Sequence, residues 1–305
     1  MRLLTALWCT AAFSAQLCFV TPAVAAPAHT EVSFPSLDAP AGQAVQLKAF
    51  WAPAHGTPQA LAAASASAPA PAMVLLHGCG GPYNARGALS QRMLDYTALL
   101  HGQGIHVLVL DSLSPRGERE LCTQKIGTRK VTNLHRRLDA LAAVAWLAAQ
   151  PGVDAQRIGL LGWSHGGSAV LSATNERHLE VASATFKPSF AVAFYPGCEA
   201  DLKRGYQHSA RLLLLLGEAD DWTPAAPCKR LAQQAVRSSA AERSGATVEI
   251  ESYAGAFHGF DSTAAVQVRK DVPNGVNPGQ GVTVGGNAEA RKLSRERMLQ
   301  FITTR

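Results

Sequence analysis

The sequence is short of charge. Asp, Glu, Lys and Arg make up 16% of its 305 residues, against 47% hydrophobic. A chain so composed buries a sizeable core and is not disordered. Its formal charge of +6 is modest for this length, and no dense basic stripe interleaved with aromatics is present, so no nucleic-acid partner is expected. Two basic clusters, Arg129-Lys130 with Arg136-Arg137 and Arg291-Lys292 with Arg295 and Arg297, fall on segments read as helices. Both are expected to be solvated faces. There is no Cys-x-x-Cys and no His-Glu-x-x-His. Metal binding and thioredoxin-like redox chemistry therefore have no spacing to support them. No metal or cofactor is expected. No internal repeat is visible, and past Val20 no apolar run could span a bilayer.

The beginning of the chain reads as a secretory signal peptide. Arg2 precedes an apolar stretch from Leu3 to Val20, Pro22 breaks it, and Ala23-Val24-Ala25-Ala26 supplies small residues for cleavage. Gln16 and Leu17 stand where a lipoprotein box before Cys18 would want small residues. The expected mature domain is 27–305, periplasmic or secreted, with no membrane attachment after cleavage. Loss of residues 1–26 removes Cys9 and Cys18 and leaves Cys79, Cys122, Cys198 and Cys228. An even count in an exported chain suggests two disulfides, with three possible pairings.

Two strand-like runs, Glu31–Phe34 and Val45–Trp51, come first. Residues 53–72 are rich in Ala, Pro and Ser without periodicity and read as a flexible connection. A regular alternation of strands and helices follows. Strands are expected at Ala72–Leu76, Ile105–Leu110, Arg157–Leu161, Phe190–Tyr195, Arg211–Leu216 and Val248–Tyr253. Helices are expected at about 89–101, 131–150, 167–176, 227–243 and 287–303. On the second of these, Leu134, Leu138, Leu141, Ala145 and Ala148 share a face. The strands are continuously apolar, as in a parallel sheet buried on both sides. The expected fold class is α/β: one doubly wound domain. Residues 262–286, rich in Gly, Pro and Asn, read as a long loop.

The strongest motif is Gly162-Trp163-Ser164-His165-Gly166-Gly167, directly after Arg157–Leu161 and before a small-residue helix start. That strand–turn–helix setting makes Gly-x-Ser-x-Gly a nucleophile elbow. Its glycines permit a sharp, strained turn that lifts the serine hydroxyl above the sheet.

A serine hydroxyl needs a base, and the base needs an orienting carboxylate. In elbow-type hydrolases they follow in the order Ser, Asp or Glu, His. Here Asp220 follows the Leu-rich strand and His258 the next one, so all three lie at carboxyl ends of strands, where open α/β sheets build sites. Asp221 is chemically as apt as Asp220, which spacing favours. Two backbone N–H groups are expected as an oxyanion hole. One is that of His165; the other is that of Cys79, in His77-Gly78-Cys79-Gly80-Gly81. The His77 and His165 side chains are read as packing or rim residues. Cys79 and Cys122 follow consecutive strands on this edge, as do Cys198 and Cys228. The expected pairings are therefore Cys79–Cys122 and Cys198–Cys228.

With these motifs in place, the sequence resembles the dienelactone hydrolase family of α/β-hydrolases, from about Met73 to Ile302. The resemblance rests on the glycine-rich loop, the elbow, Asp111-Ser112-Leu113-Ser114-Pro115-Arg116-Gly117, Gly217-Glu218-Ala219-Asp220 and His258-Gly259-Phe260-Asp261. It implies a mostly parallel sheet with helices on both faces and a triad of Ser164, Asp220 and His258. It also implies cofactor-free hydrolysis of a small-molecule ester or lactone through an acyl-enzyme. Founding members use cysteine as nucleophile and are cytoplasmic. Ser164 and the leader depart from them and favour a more general esterase. The elbow is also similar to that of secreted polyester and cutin hydrolases.

Arg116 and Trp163 are candidate substrate contacts. Arg116 could grip a substrate carboxylate, or pair with Asp111 and fix its loop. Two other readings of the chain are a secreted serine peptidase and a non-catalytic binding protein on a hydrolase scaffold. Substrate identity and oligomeric state are not legible in the sequence.

Overall fold

The computed structural model describes residues 28–54, 68–236 and 247–304. The leader, all but the ends of the connection at 53–72, and the end of the helix expected at 227–243 lie outside them. Eight strands form one sheet, β1 (Thr30–Pro35), β2 (Gln46–Ala52), β3 (Ala70–Leu76), β4 (His106–Asp111), β5 (Val153–Trp163), β6 (Phe190–Phe194), β7 (Arg211–Gly217) and β8 (Val248–Tyr253). Their spatial order is β1-β2-β4-β3-β5-β6-β7-β8. β2 runs antiparallel to both β1 and β4, and the remaining neighbours are parallel.

The leucines of β7 show why the strands are apolar throughout. Leu212, Leu214 and Leu216 enter the core on one face, and Leu213 and Leu215 the core on the other. Each residue of a central strand is buried whichever way it points. On the first face pack α2 (Asn133–Ala148), α3 (His165–Thr174) and α6 (Ala225–Val236). On the second pack α1 (Gln91–His101) and α7 (Ala288–Thr303). The short helices α4 (Leu179–Ala182) and α5 (Glu199–Arg204) connect strands. One sheet with helices on both faces makes a single domain of α/β-hydrolase type.

Two expectations about α2 are corrected. Of the expected face Leu141 is buried and Ala148 packs against the core, but Leu134 and Ala145 are exposed, and the core row is Arg136, Ala140, Ala143, Val144 and Leu147. Arg136 and Arg137 are buried, not solvated. The face was misjudged because an arginine inside a helix pattern reads as a solvent marker, and these two have partners inside. Arg136 donates to the His77 carbonyl and Arg137 to Ser172 Oγ. The stretch 262–286 also contains structure that its composition conceals, a hairpin of β9 (Gln267–Arg269) and β10 (Val282–Val284).

Candidate active site

Ser164 sits between the end of β5 and the start of α3 with φ +55° and ψ −119°, a conformation that L residues rarely adopt. The turn closes only because its flanks lack side chains. A Cβ on Gly162 would lie 2.3 Å from the Gly166 carbonyl oxygen, and one on Gly166 1.9 Å from that of Leu76. The strained turn aims the hydroxyl at His258, whose Nε2 is 2.9 Å from Ser164 Oγ. His258 Nδ1 lies 2.8 Å from Asp220 Oδ2. All three residues are buried or nearly so.

Asp220 is itself held. Its Oδ1 accepts the N–H groups of Trp222 and Thr223, each at 2.8 Å, and the Thr223 hydroxyl donates to Oδ2 at 3.0 Å. Asp221 turns the other way, accepting from Thr283 N at 2.7 Å and Thr283 Oγ1 at 2.9 Å. It thereby anchors the β9–β10 hairpin, which in turn holds the loop of His258 through Gly285 N to the His258 carbonyl at 3.0 Å. In the turn after β7 the two neighbouring carboxylates thus face different partners.

The N–H groups of Cys79 and His165 have no backbone acceptor among the described residues. Cys79, Ser164 and His165 line one cavity of about 720 Å³. Its walls are mainly apolar, with Ile126, Trp222, Pro224, Pro227 and Val276 prominent. Above it, Asn274 ties two loops, accepting from Ile126 N at 2.9 Å and donating to the Gln124 carbonyl at 3.0 Å. Disulfides join Cys79 to Cys122 and Cys198 to Cys228. Cys79 and Cys198 both reach the cavity wall. Among the described residues no group of three or more His, Cys, Asp or Glu could hold a metal ion.

The two candidate substrate contacts do not reach this cavity. Arg116 pairs with Asp139 at 2.8 Å and Asp38 at 2.7 Å, and its Nη1 donates to the Ser112 carbonyl. It is structural, though its partners are not Asp111. That carboxylate accepts instead from Tyr83, from Leu113 N and from Ser114. Trp163 is wholly buried among Tyr96 and Phe194. As the last residue of β5 it points into the core opposite the serine. His77 packs inside, and His165 borders the cavity.

Sequence reasoning missed Thr223, Arg136 and Asp261. The signal for Arg136 was its place on the helical row 136, 140, 143, 144, 147. Asp261 closes a motif already quoted. It is fully buried and receives Arg92 Nη2 at 3.2 Å, Tyr96 Oη at 3.1 Å and Tyr195 Oη at 2.6 Å.

A sequence model of the dienelactone hydrolase family matches residues 59–305. The chain belongs to the dienelactone hydrolase family. As a family member it is a hydrolase acting on ester bonds. A protein provisionally named a dienelactone hydrolase, from Klebsiella pneumoniae subsp. pneumoniae, has a similar structure. Its TM-score is 0.62 at 17% identity, covering 91% of this chain and 100% of that one. Esterase 2 of Thermogutta terrifontis, in a form phosphorylated by paraoxon, gives 0.58 at 16% identity over 92% of this chain and 95% of that one. Likeness at these identities is one of fold. In sequence, 122 residues are 31% identical to a protein of Fusarium vanettenii provisionally named dipeptidyl-aminopeptidase B. The match covers 39% of this chain and spans only 12% of that relative's length.

Proposed function

We propose that this dienelactone hydrolase family member cleaves carboxylic esters or lactones by acyl transfer, with Ser164 as nucleophile, His258 as base and Asp220 as its orienting carboxylate. The observation that carries this reading is the continuous chain from Ser164 Oγ through the imidazole to Asp220, at 2.9 and 2.8 Å. His258 takes the serine proton through Nε2 while Asp220 holds the proton on Nδ1. Ser164 attacks the carbonyl carbon, and the N–H groups of Cys79 and His165 receive the developing oxyanion. His258 then protonates the leaving alcohol. Water repeats the sequence on the acyl-enzyme. No cofactor is required.

The apolar cavity suits an uncharged acyl or alcohol group of moderate size. Two disulfides, and the absence among the described residues of a helix able to cross a membrane, fit an exported enzyme. Its leader would be residues 1–26, its domain 27–305.

The test is Ser164→Ala against a panel of short-chain aryl esters and lactones. The variant should fold as the parent does and lose turnover. Labelling by a fluorophosphonate should disappear with it. Turnover equal to the parent's would refute the assignment. A peptidase is the second reading, favoured by the Fusarium match. An aryl ester and a peptide anilide compared at equal concentration separate the two, and the ester should be cleaved far faster.

A further inference from the structure

Arg136 is fully buried on α2, one turn from its Thr132 cap. No carboxylate lies within ion-pairing distance of it among the described residues. Asp139, three residues on, turns both oxygens to Arg116, at 2.9 and 2.8 Å. Asp111 is engaged by Tyr83 and by its own turn. The guanidinium is left with two neutral acceptors. Nη2 donates to the His77 carbonyl at 2.7 Å, and Nη1 donates to His165 Nδ1 at 3.1 Å.

Where those acceptors stand is the point. His77 opens the glycine-rich loop that carries the Cys79 N–H. His165 carries the other N–H beside Ser164. The two segments already touch, since a Cβ on Gly166 would meet the His77 carbonyl oxygen at 2.5 Å. One cation therefore joins both. Burial, and after it the nearby Arg136 charge, push His77 down to about 3 and His165 well below the usual histidine range. Both rings are thus neutral and add no counter-charge: His165 accepts from the arginine through its ring, His77 through its backbone carbonyl.

Burial pushes the Arg136 guanidinium down to about 10 despite the longer-range attraction of Asp139 and Asp111. A buried cation with no carboxylate in contact opposes folding, so its presence is not explained by stability. A fixed positive charge behind N–H donors is most effective where negative charge develops in a dry interior. We propose that Arg136 is the positioning residue of the oxyanion hole. It holds the His77–Cys79 loop and His165 in register and adds its charge to their donors. The proposal rests on the triad and oxyanion-hole reading above.

The experiment compares Arg136→Met, Arg136→Lys and His165→Leu with the parent and with Ser164→Ala. Each is hydrolysing an aryl ester, with circular dichroism and thermal melts to confirm folding. Arg136→Met should lower kcat by about 10–100-fold, with KM changed less than about twofold. Its affinity for a trifluoromethyl ketone, which forms an anionic tetrahedral adduct, should fall in proportion to kcat. Its affinity for the corresponding methylene-ether analogue, which forms no adduct, should hold. Arg136→Lys should recover part of the loss. His165→Leu, which keeps the backbone N–H but removes one acceptor, should show a smaller fall of the same kind. If Arg136→Met does not fold, the lysine and leucine variants decide by the same split between kcat and KM. Folded variants with kcat within twofold of the parent, or a loss confined to KM, would overturn the proposal. A normal kcat in Arg136→Met beside an inactive Ser164→Ala sinks this inference alone, whereas turnover in Ser164→Ala sinks the triad reading itself.

Discussion

Tyr195 donates its hydroxyl to Asp261 at 2.6 Å while its ring lies 4.6 Å from that of His258. Asp261 is inaccessible to solvent, and burial opposes its ionisation. The Arg92 guanidinium and the tyrosine hydroxyls outweigh that and hold its carboxyl below the usual range. The network fixes the turn that follows His258. Asp261→Ala would strand Arg92 and two tyrosine hydroxyls, and should cost about 3–5 kcal/mol. Urea unfolding should show a lower midpoint with an unchanged slope. A loss under about 1 kcal/mol would show that the network contributes little.

Asp220 and Asp221 should separate cleanly by function. Asp220→Asn leaves the geometry but disfavours the required histidine tautomer, and kcat should fall by about 10³–10⁴-fold. Asp221→Asn weakens the two bonds to Thr283. It should keep kcat within about tenfold and lose about 1–3 kcal/mol of stability. Steady-state kinetics beside thermal melts test both, and the reverse pattern would assign the orienting role to Asp221.

The disulfides should differ in the same way. Each closes a loop, with a sequence separation of 43 for Cys79 and Cys122 and of 30 for Cys198 and Cys228. Replacing either pair by serine should cost about 2–4 kcal/mol. Only loss of the first should lower kcat as well, because Cys79 carries a proposed oxyanion donor and its carbonyl receives Leu121 N at 2.8 Å. Equal kcat in the two double variants would count against that.

Stability should fall with acid, below the ordinary histidine value. His77 is depressed from 6.5 to about 3 in the folded state, by burial first and by Arg136 second. His165 is depressed in the same direction. Below about pH 6.5 the unfolded chain takes up protons that the folded one refuses. Each histidine then removes up to about 1.4 kcal/mol per pH unit, until its folded pKa is reached. Chemical unfolding between pH 7 and pH 4 should show this slope. His77→Gln should flatten it, and an unchanged slope would place the loss in other groups.

The sequence by itself determined the order of strands and helices, the elbow at Ser164 and the carboxyl-end positions of Asp220 and His258. Those features are local or periodic, since a central strand must be apolar and a strained turn must have glycine beside it. The tertiary structure alone decided the fate of Arg116, Trp163, Arg136 and Asp261. A lone arginine or aspartate does not reveal whether it faces water or a distant partner, as Arg116 and Asp38 do across 78 residues of chain. The β9–β10 hairpin was hidden for a related reason. Its short strands are held by each other and by Asp221, so composition alone reads them as loop. Burial of charge depends on what the fold brings opposite it, and that is a property of contacts between segments far apart in the chain.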